Sequence, residues 1–315
     1  MEMRYLGHSG LQVSAVGLGC NNFGGMIRTL DLEGSRAVVH AALDAGVTLF
    51  DTSDSYGVNG GSESTLGEIL GARRRDVVLA TKFASPMNRQ ESPRYNGSRG
   101  YIMTAVEASL RRLKTDYIDL YQYHFPDPDT PIEESMRALD DLVRQGKVRY
   151  LGCSNFAAWQ LVDAGWTARH LGTERLLSTQ AEYNLLARDA EKSLFPAMQA
   201  ARMTLLPYFP LASGLLTGKY RKGQDLPADT RMTLPYFKGG LTETRLDMVE
   251  RLIAFAEARG HTILELAFAW LLAQPIVSSV IAGATSPAQV TANAAATCWQ
   301  LSANDLAEID RLLAN

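Results

Sequence analysis

Four side chains of this 315-residue sequence have types suited to moving a proton on or off an oxygen atom: Asp51, Tyr56, Lys82 and His124. A tyrosine at its reference pKa of about 10 is a reluctant acid and a negligible base near neutrality. An ammonium buried beside it favours the phenolate and is expected to lower that pKa. Lys82 can supply the ammonium. Asp51 can keep it charged, since an unpaired lysine in an apolar pocket tends to lose its proton. His124 can donate a hydrogen bond to the same substrate oxygen and orient it. Together the four suit proton transfer to a carbonyl oxygen, with the hydride drawn from a cofactor because no protein side chain supplies one.

Taken singly, each residue has a plainer reading. Asp51 could cap the next turn, Lys82 could be a solvated strand-end lysine, His124 a satisfied core histidine, and Tyr56 an amphipathic rim residue. Their positions along the chain join them. In the run Gly46-Val-Thr-Leu-Phe-Asp-Thr-Ser-Asp-Ser-Tyr-Gly, Val47, Leu49 and Phe50 read as a short buried strand that Asp51 ends, with Tyr56 in the loop beyond. Lys82 ends the next strand, 77–82, and His124 ends the one after, 118–124. Ionisable residues at the same end of consecutive strands mark a site more often than chance would place them there.

The elements that must position them alternate along the whole chain. Residues 3–6 and 11–13 are extended runs separated by Gly-His-Ser-Gly and predict a hairpin ahead of the main fold. Residues 16–19 read as a first core strand, 21–25 as a glycine-rich loop, and 35–43 as a helix with Ser35 near its N-cap. Beyond the strand ending at Asp51, helices are predicted at 63–70, 101–113, 131–144, 156–169 and 190–202, and strands at 148–153, 177–180, 204–208 and 277–282. An insertion over 209–240 precedes helices at 242–259 and 262–272, and helices at 287–295 and 304–313 close the chain. Parallel neighbours need long connections, so eight strands alternating with helices predict a (β/α)8 TIM barrel, with an N-terminal β-hairpin and extra C-terminal helices. An open doubly wound sheet would be expected to carry G-x-G-x-x-G after an early strand. Gly17-Leu-Gly-Cys-Asn-Asn22 lacks the third glycine. No linker or composition shift divides residues 1–315, which are read as one barrel domain. In such a barrel all strand C-termini open on one mouth.

Composition narrows the function classes. With 46% hydrophobic and 21% charged residues, the chain is expected to fold around a large core. A net charge of -3 offers no general attraction to nucleic acid or an anionic membrane. Cys20, Cys153 and Cys298 are far apart, odd in number and without zinc-like spacing, so no metal site and a reduced, cytoplasmic setting are expected. The run 264–272 is interrupted by Glu265 and too short to span a bilayer, and Met-Glu-Met-Arg-Tyr at the start is not a long apolar run.

On these residues the chain resembles the aldo-keto reductase superfamily along nearly its full length, including its bacterial reductase and potassium-channel β-subunit branches. The segments that carry the resemblance are 46–57, Ala80-Thr-Lys82, 109–121 leading to His124, Gly146-Lys-Val-Arg-Tyr-Leu-Gly-Cys-Ser-Asn155, and Leu211-Ala-Ser-Gly-Leu-Leu-Thr-Gly-Lys219. The family's Asp, Tyr, Lys and His tetrad falls on Asp51, Tyr56, Lys82 and His124. The resemblance implies NADPH-dependent reduction of an aldehyde or ketone. It further implies that Ser154, Asn155 and Gln180 hold the nicotinamide carboxamide and that Tyr208 stacks on the nicotinamide ring. Phe209, Pro210, Leu211, Ala212, Gly214 and Lys219 fall on the loop over the pyrophosphate, and Gly283, Thr285, Gln289 and Asn293 on the segment that takes the adenosine end. Family members that grip a 2'-phosphate often place Lys or Arg in this last segment. Here Lys219 and Arg231 are the expected basic contacts, favouring NADPH over NADH.

Phe23, Phe83 and Phe125 are expected to line an aromatic mouth, with Phe209 or the loop 86–97 closing it. Arg89, Arg94 and Arg99 lie in the stretch 85–99, which could admit a polar substrate or simply be a solvated loop. The substrate stays open among sugars, pyridoxal-like aldehydes, steroids and foreign carbonyl compounds. Two other functions compete: a cofactor-sensing regulatory subunit resembling the potassium-channel β subunits, and a Schiff-base aldolase with Lys82 as nucleophile.

Overall fold

A computed structural model describes residues 1–25, 30–86, 94–227, 230, 232 and 240–314. Its framework is an eight-stranded, all-parallel sheet: β3 (Val16–Gly19), β4 (Leu49–Asp51), β5 (Val78–Phe83), β6 (Ile118–Tyr123), β7 (Val148–Ser154), β8 (Leu176–Glu182), β9 (Thr204–Tyr208) and β10 (Val280–Gly283). The strands pair in the order β10-β3-β4-β5-β6-β7-β8-β9. The remaining seam is bridged where Leu205 pairs with Val277, with Leu205 N–H donating to Ile276 at 2.7 Å and Ser278 N–H to Leu205 at 3.1 Å. The sheet thus curls into a nearly closed barrel with helices between its strands. The last predicted strand starts late because residues 277–279 form this bridge, leaving regular pairing to β10.

The hairpin is present as β1 (Met3–Tyr5) paired antiparallel with β2 (Gln12–Ser14). Ser278 Oγ donates to the Tyr5 carbonyl at 2.7 Å and Gly7 N–H donates to Thr204 Oγ1 at 2.7 Å. Those partners lie where β9 and β10 begin, so the hairpin covers the N-terminal end of the barrel. Leu6 and Val13 enter its interior beside Leu49, Ala80, Leu120, Leu206 and Ile281.

Helices α1 (Leu32–Asp44), α2 (Gly61–Leu70), α3 (Arg99–Leu113), α4 (Ile132–Arg144), α5 (Ala158–Leu171) and α6 (Leu194–Ala201) follow successive strands. After β9 come α7 (Glu243–Glu257) and α8 (Ile263–Leu272), and after β10 come α9 (Pro287–Ala295) and α10 (Ala303–Ala314). Their inner faces close on the outward strand residues Phe50, Leu79, Tyr121 and Leu151. The predicted cap of the first helix moves: Asp31, not Ser35, accepts the Gly34 N–H at 2.7 Å, and Ser35 is buried a turn inside. A carboxylate at the N-terminus satisfies open N–H groups and suits the helix dipole.

Candidate active site

Strand alternation decides which residues meet at the C-terminal mouth. On β4, Leu49 points into the barrel, Phe50 packs outward on the helices, and Asp51 points in again. The same phase on β5 brings Ala80 and Lys82 inward and sends Leu79 and Phe83 outward. On β6, Leu120 and Gln122 face in. Asp51 and Lys82 thereby converge at the end of the barrel opposite the hairpin.

Lys82 is completely buried, and its Nζ donates to Asp51 Oδ2 at 2.7 Å, to the Thr52 carbonyl at 2.9 Å and to the Tyr56 hydroxyl at 3.3 Å. These three acceptors use all three ammonium hydrogens. Asp51 Oδ1 accepts from Gln180 Nε2 at 2.6 Å and from Gln122 Nε2 at 3.1 Å. A buried ion pair is stable only when its remaining lone pairs are met, and the two amides do that. Burial works against the Lys82 charge, but Asp51 and the Tyr56 hydroxyl outweigh it and hold the ammonium above the usual lysine range. The Tyr56 ring meets His124 edge to face at 5.6 Å.

The expected lowering of the phenol pKa is not what the geometry produces. Tyr56 keeps some exposed surface, yet burial of its hydroxyl end pushes its pKa up. Lys82 pulls the other way and Asp51 adds to the rise, leaving a net upward shift. Desolvation of the phenolate exceeds the attraction of an ammonium that Asp51 already neutralises in part. Tyr56 is therefore a protonated phenol at neutral pH, suited to giving a proton.

His124 sits at the end of β6, its ring held by Ser53 Oγ at 3.1 Å from Nδ1 and by Phe125, whose ring lies 4.8 Å away. Ser154 Oγ donates to the Gln180 carbonyl at 3.2 Å. Asn155, with φ of 60°, donates through Nδ2 to the His124 carbonyl and to Ser154 Oγ, both at 3.0 Å, and accepts from the Tyr208 hydroxyl at 3.0 Å. Asparagine is one of the few residues that tolerates this left-handed backbone. The expected carboxamide-binding trio and Tyr208 are thus tied to one another and to His124, with Gln180 turned onto Asp51.

Further round the mouth, Phe209, Ala212, Ser213 and Gly214 have φ of 50°, 45°, 58° and 102°. The Ala212 N–H donates back to the Phe209 carbonyl at 2.9 Å and the Gly214 N–H to the Leu211 carbonyl at 2.8 Å, so the chain makes a tight turn here. Pro210 and Leu211 lie within this turn, and Lys219 follows it with an exposed side chain whose Nζ is 5.0 Å from the Tyr220 ring. Gly283 ends β10. Ser286 caps α9 by accepting from Gln289 N–H at 3.3 Å, while Gln289 Oε1 accepts from Thr285 N–H at 2.8 Å, and Asn293 is buried on the same helix. Arg231 lies outside the described residues, as do Arg89 and most of the loop expected to close the mouth.

Two aromatic expectations need correction. Phe83 is fully buried on the outer side of the barrel, stacked at 4.8 Å on both Tyr121 and Tyr123. Being adjacent to Lys82 on a strand, it must face the other way. Phe23 is likewise fully buried in the layer between strands and helices. Phe125 is partly exposed, stacked on Tyr95 at 4.8 Å, and stays at the rim beside His124. Residues missed in the sequence are Gln122, Ser53, Asp54 and Tyr101. Gln122 was signalled by its position two before His124 on a strand and in register with Lys82.

The fold is a parallel barrel that gathers Asp51, Tyr56, Lys82 and His124 at its mouth. The model of the aldo/keto reductase family matches residues 15–314, and the chain belongs to that family. Its activity is accordingly that of an NAD(P)H-dependent oxidoreductase acting on carbonyl compounds. It is 38% identical to a probable voltage-gated potassium channel subunit beta of Oryza sativa subsp. japonica, covering 93% of this chain and 90% of that one. It is 37% identical to the aldo-keto reductase YhdN of Bacillus subtilis, over 100% and 94% of the two chains. It is 34% identical to L-glyceraldehyde 3-phosphate reductase of Escherichia coli K12, over 100% and 93%. No described helix is long and apolar enough to cross a membrane.

Proposed function

We propose that this protein reduces the carbonyl group of a small aldehyde or ketone with NADPH, Tyr56 giving the proton. The observation that carries the reading is the ammonium of Lys82, 3.3 Å from the Tyr56 hydroxyl and pinned by Asp51 at 2.7 Å. The tight turn at 209–214, where Gly214 allows close approach, and the capped start of α9 suit the phosphates of a dinucleotide, with Lys219 as a cationic contact, Arg231 from outside the described residues as a second, and Ser154, Asn155 and Gln180 near the nicotinamide end. When bound there, NADPH supplies the hydride. As the substrate oxygen gains negative charge, Tyr56 passes it the phenolic proton, and Lys82 stabilises the phenolate that remains. Asp51, braced by Gln122 and Gln180, keeps Lys82 charged and still. His124 donates to the carbonyl oxygen and fixes its angle to Tyr56. The three free cysteines suit a cytoplasmic setting.

Mixing the protein with NADPH and 4-nitrobenzaldehyde and following cofactor absorbance tests the reading. Turnover that vanishes in Tyr56→Phe supports it; no turnover by the native protein removes it. A second reading, a cofactor-sensing subunit of a larger assembly, draws on the similarity to the rice channel subunit. It would show as tight NADPH binding without turnover. The aldolase is disfavoured because an ammonium held above the ordinary lysine range is a poor nucleophile.

A further inference from the structure

We propose that Ser53, Asp54 and Tyr101 form a hydrogen-bonded arm that sets which ring nitrogen of His124 carries the proton, making Asp54 a positioning residue for carbonyl reduction. Its kinetic consequence rests on the reading above; its geometry does not.

Asp54 is 1% exposed and lies three residues beyond Asp51 in the loop that carries Tyr56. Its backbone N–H donates to the Lys82 carbonyl at 3.2 Å, which fastens it to the end of β5. Oδ1 is 3.2 Å from Ser53 Oγ, and Oδ2 accepts from the Tyr101 hydroxyl of α3 at 3.3 Å. Ser53 Oγ in turn lies 3.1 Å from His124 Nδ1 and 3.0 Å from Ser55 Oγ, and it accepts from Ser55 N–H at 3.2 Å. No cation pairs directly with Asp54 among the described residues. The charged and titratable groups around it are Glu63 on α2, Arg112 and Tyr101 on α3, Tyr121 on β6 and His124 beyond it. Arg112 is already committed, its Nε donating to Glu63 Oε2 at 2.7 Å. Burial and the Glu63 charge therefore prevail over Ser53, Arg112 and Tyr101, and the Asp54 carboxyl is pushed up to about 8.

Ser53 has one hydroxyl hydrogen, and the arm works through where it points. With Asp54 protonated on Oδ1, that O–H donates to Ser53 Oγ and the Ser53 O–H donates to His124 Nδ1. The neutral ring then carries its proton on Nε2, the nitrogen able to donate to a substrate oxygen. When Asp54 loses its proton to solvent, Ser53 turns its hydrogen to the carboxylate and accepts from Nδ1–H. The ring proton has moved to Nδ1, and Nε2 presents a lone pair that repels a carbonyl oxygen. The sum of the change is one proton released. Tyr101 donates to Oδ2 in both states and keeps Oδ1 as the oxygen that faces Ser53.

The same requirement makes Asp54→Asn informative: Tyr101 needs an acceptor, so the amide oxygen faces Tyr101 and the NH2 faces Ser53. That variant holds the arm in the state of the protonated carboxyl at every pH. Ser53→Ala cuts the arm. The experiment is 15N NMR of histidine-labelled native, Asp54→Asn and Ser53→Ala proteins from pH 6 to pH 9.5, with His124 assigned from the signal lost in His124→Gln, alongside kcat/KM for 4-nitrobenzaldehyde. In the native protein the neutral ring should carry its proton on Nε2 at pH 7 and shift it to Nδ1 near pH 8, with kcat/KM falling about tenfold from pH 7 to pH 9. Asp54→Asn should keep Nε2–H throughout and flatten the fall, and Ser53→Ala should uncouple the ring from the step near pH 8. The same His124 tautomer profile in all three proteins would overturn the proposal even if the native enzyme reduces aldehydes. A tautomer that follows Asp54 in a protein without turnover would uphold the arm while removing the reductase reading.

Discussion

At the scale of single residues, the buried Lys82 and Asp51 pair separates a residue's part in stability from its part in chemistry. Removing one member of a buried ion pair strands the other's charge, a loss of about 3–5 kcal/mol. Lys82→Met would leave Asp51 with only its two glutamine donors, whereas Tyr56→Phe takes away one of the three acceptors of the ammonium and leaves the pair intact. Both variants are expected to lose reductase turnover. Denaturant unfolding should show a drop of that size for Lys82→Met and a smaller one, about 1–3 kcal/mol, for Tyr56→Phe. Equal losses from the two would mean that the pair contributes no more than the tyrosine hydroxyl. That Asp51, Tyr56, Lys82 and His124 come together was legible in the sequence because ionisable residues at corresponding strand ends are unusual. The direction of the Tyr56 shift was not, because it depends on the balance between burial of one oxygen and a neighbour's charge, and only coordinates fix both.

At the scale of elements, the loop bearing Tyr56 is located by contact between backbones. Gly24, with φ of +86°, lies so close to the start of α2 that a Cβ there would come within 2.2 Å of the Gly61 carbonyl carbon and 2.3 Å of the Ser62 nitrogen. Its carbonyl accepts from Val58 N–H at 2.9 Å. The loop after β3 therefore acts as a stop against which the loop after β4 is folded. Gly24→Ala must push that loop away, and because the obstruction is backbone, no rotamer change relieves it. We expect at least a tenfold loss in kcat/KM together with a lower Tm, since a displacement of about 1 Å can have that effect on a positioned acid. Gly10→Ala serves as control, with an ordinary φ and nothing within 4 Å of its added carbon, and should change neither. The sequence showed the glycine-rich loop at 21–25 but not what it touched, because a local pattern says that a backbone is permissive and not which neighbour requires it. Strand phase is the more legible signal: the inward Lys82 alone implies that Phe83 faces the helices.

Across the whole molecule, the candidate site and the hairpin lie at opposite ends of one barrel. The tetrad and the loops around it gather where the strands end, and the hairpin with Leu6 and Val13 closes the end where they begin. The hairpin was foreseen from two short extended runs around Gly-His-Ser-Gly. Its use as a plug was not, since residues that enclose Leu6, among them Leu49, Leu120, Leu206 and Ile281, come from strands scattered over the chain. Leu6 is fully buried there, its N–H donating to the Leu11 carbonyl at 2.8 Å. Truncating a leucine in so enclosed a setting leaves a cavity that the packed barrel interior fills only in part, a loss of about 2–5 kcal/mol. Leu6→Ala should therefore lower the unfolding free energy by that amount. The layer of Asp51, Lys82, Gln122 and Gln180 rests on the inward residues above the plug and is held by its own hydrogen bonds, so kcat/KM below the unfolding transition should stay within about twofold of native. Chemical denaturation and initial-rate kinetics on the same preparation check both halves. A large loss of kcat/KM in a folded Leu6→Ala protein would mean that the plug, too, sets the position of the tetrad, and that the two ends of the barrel are mechanically coupled through its core.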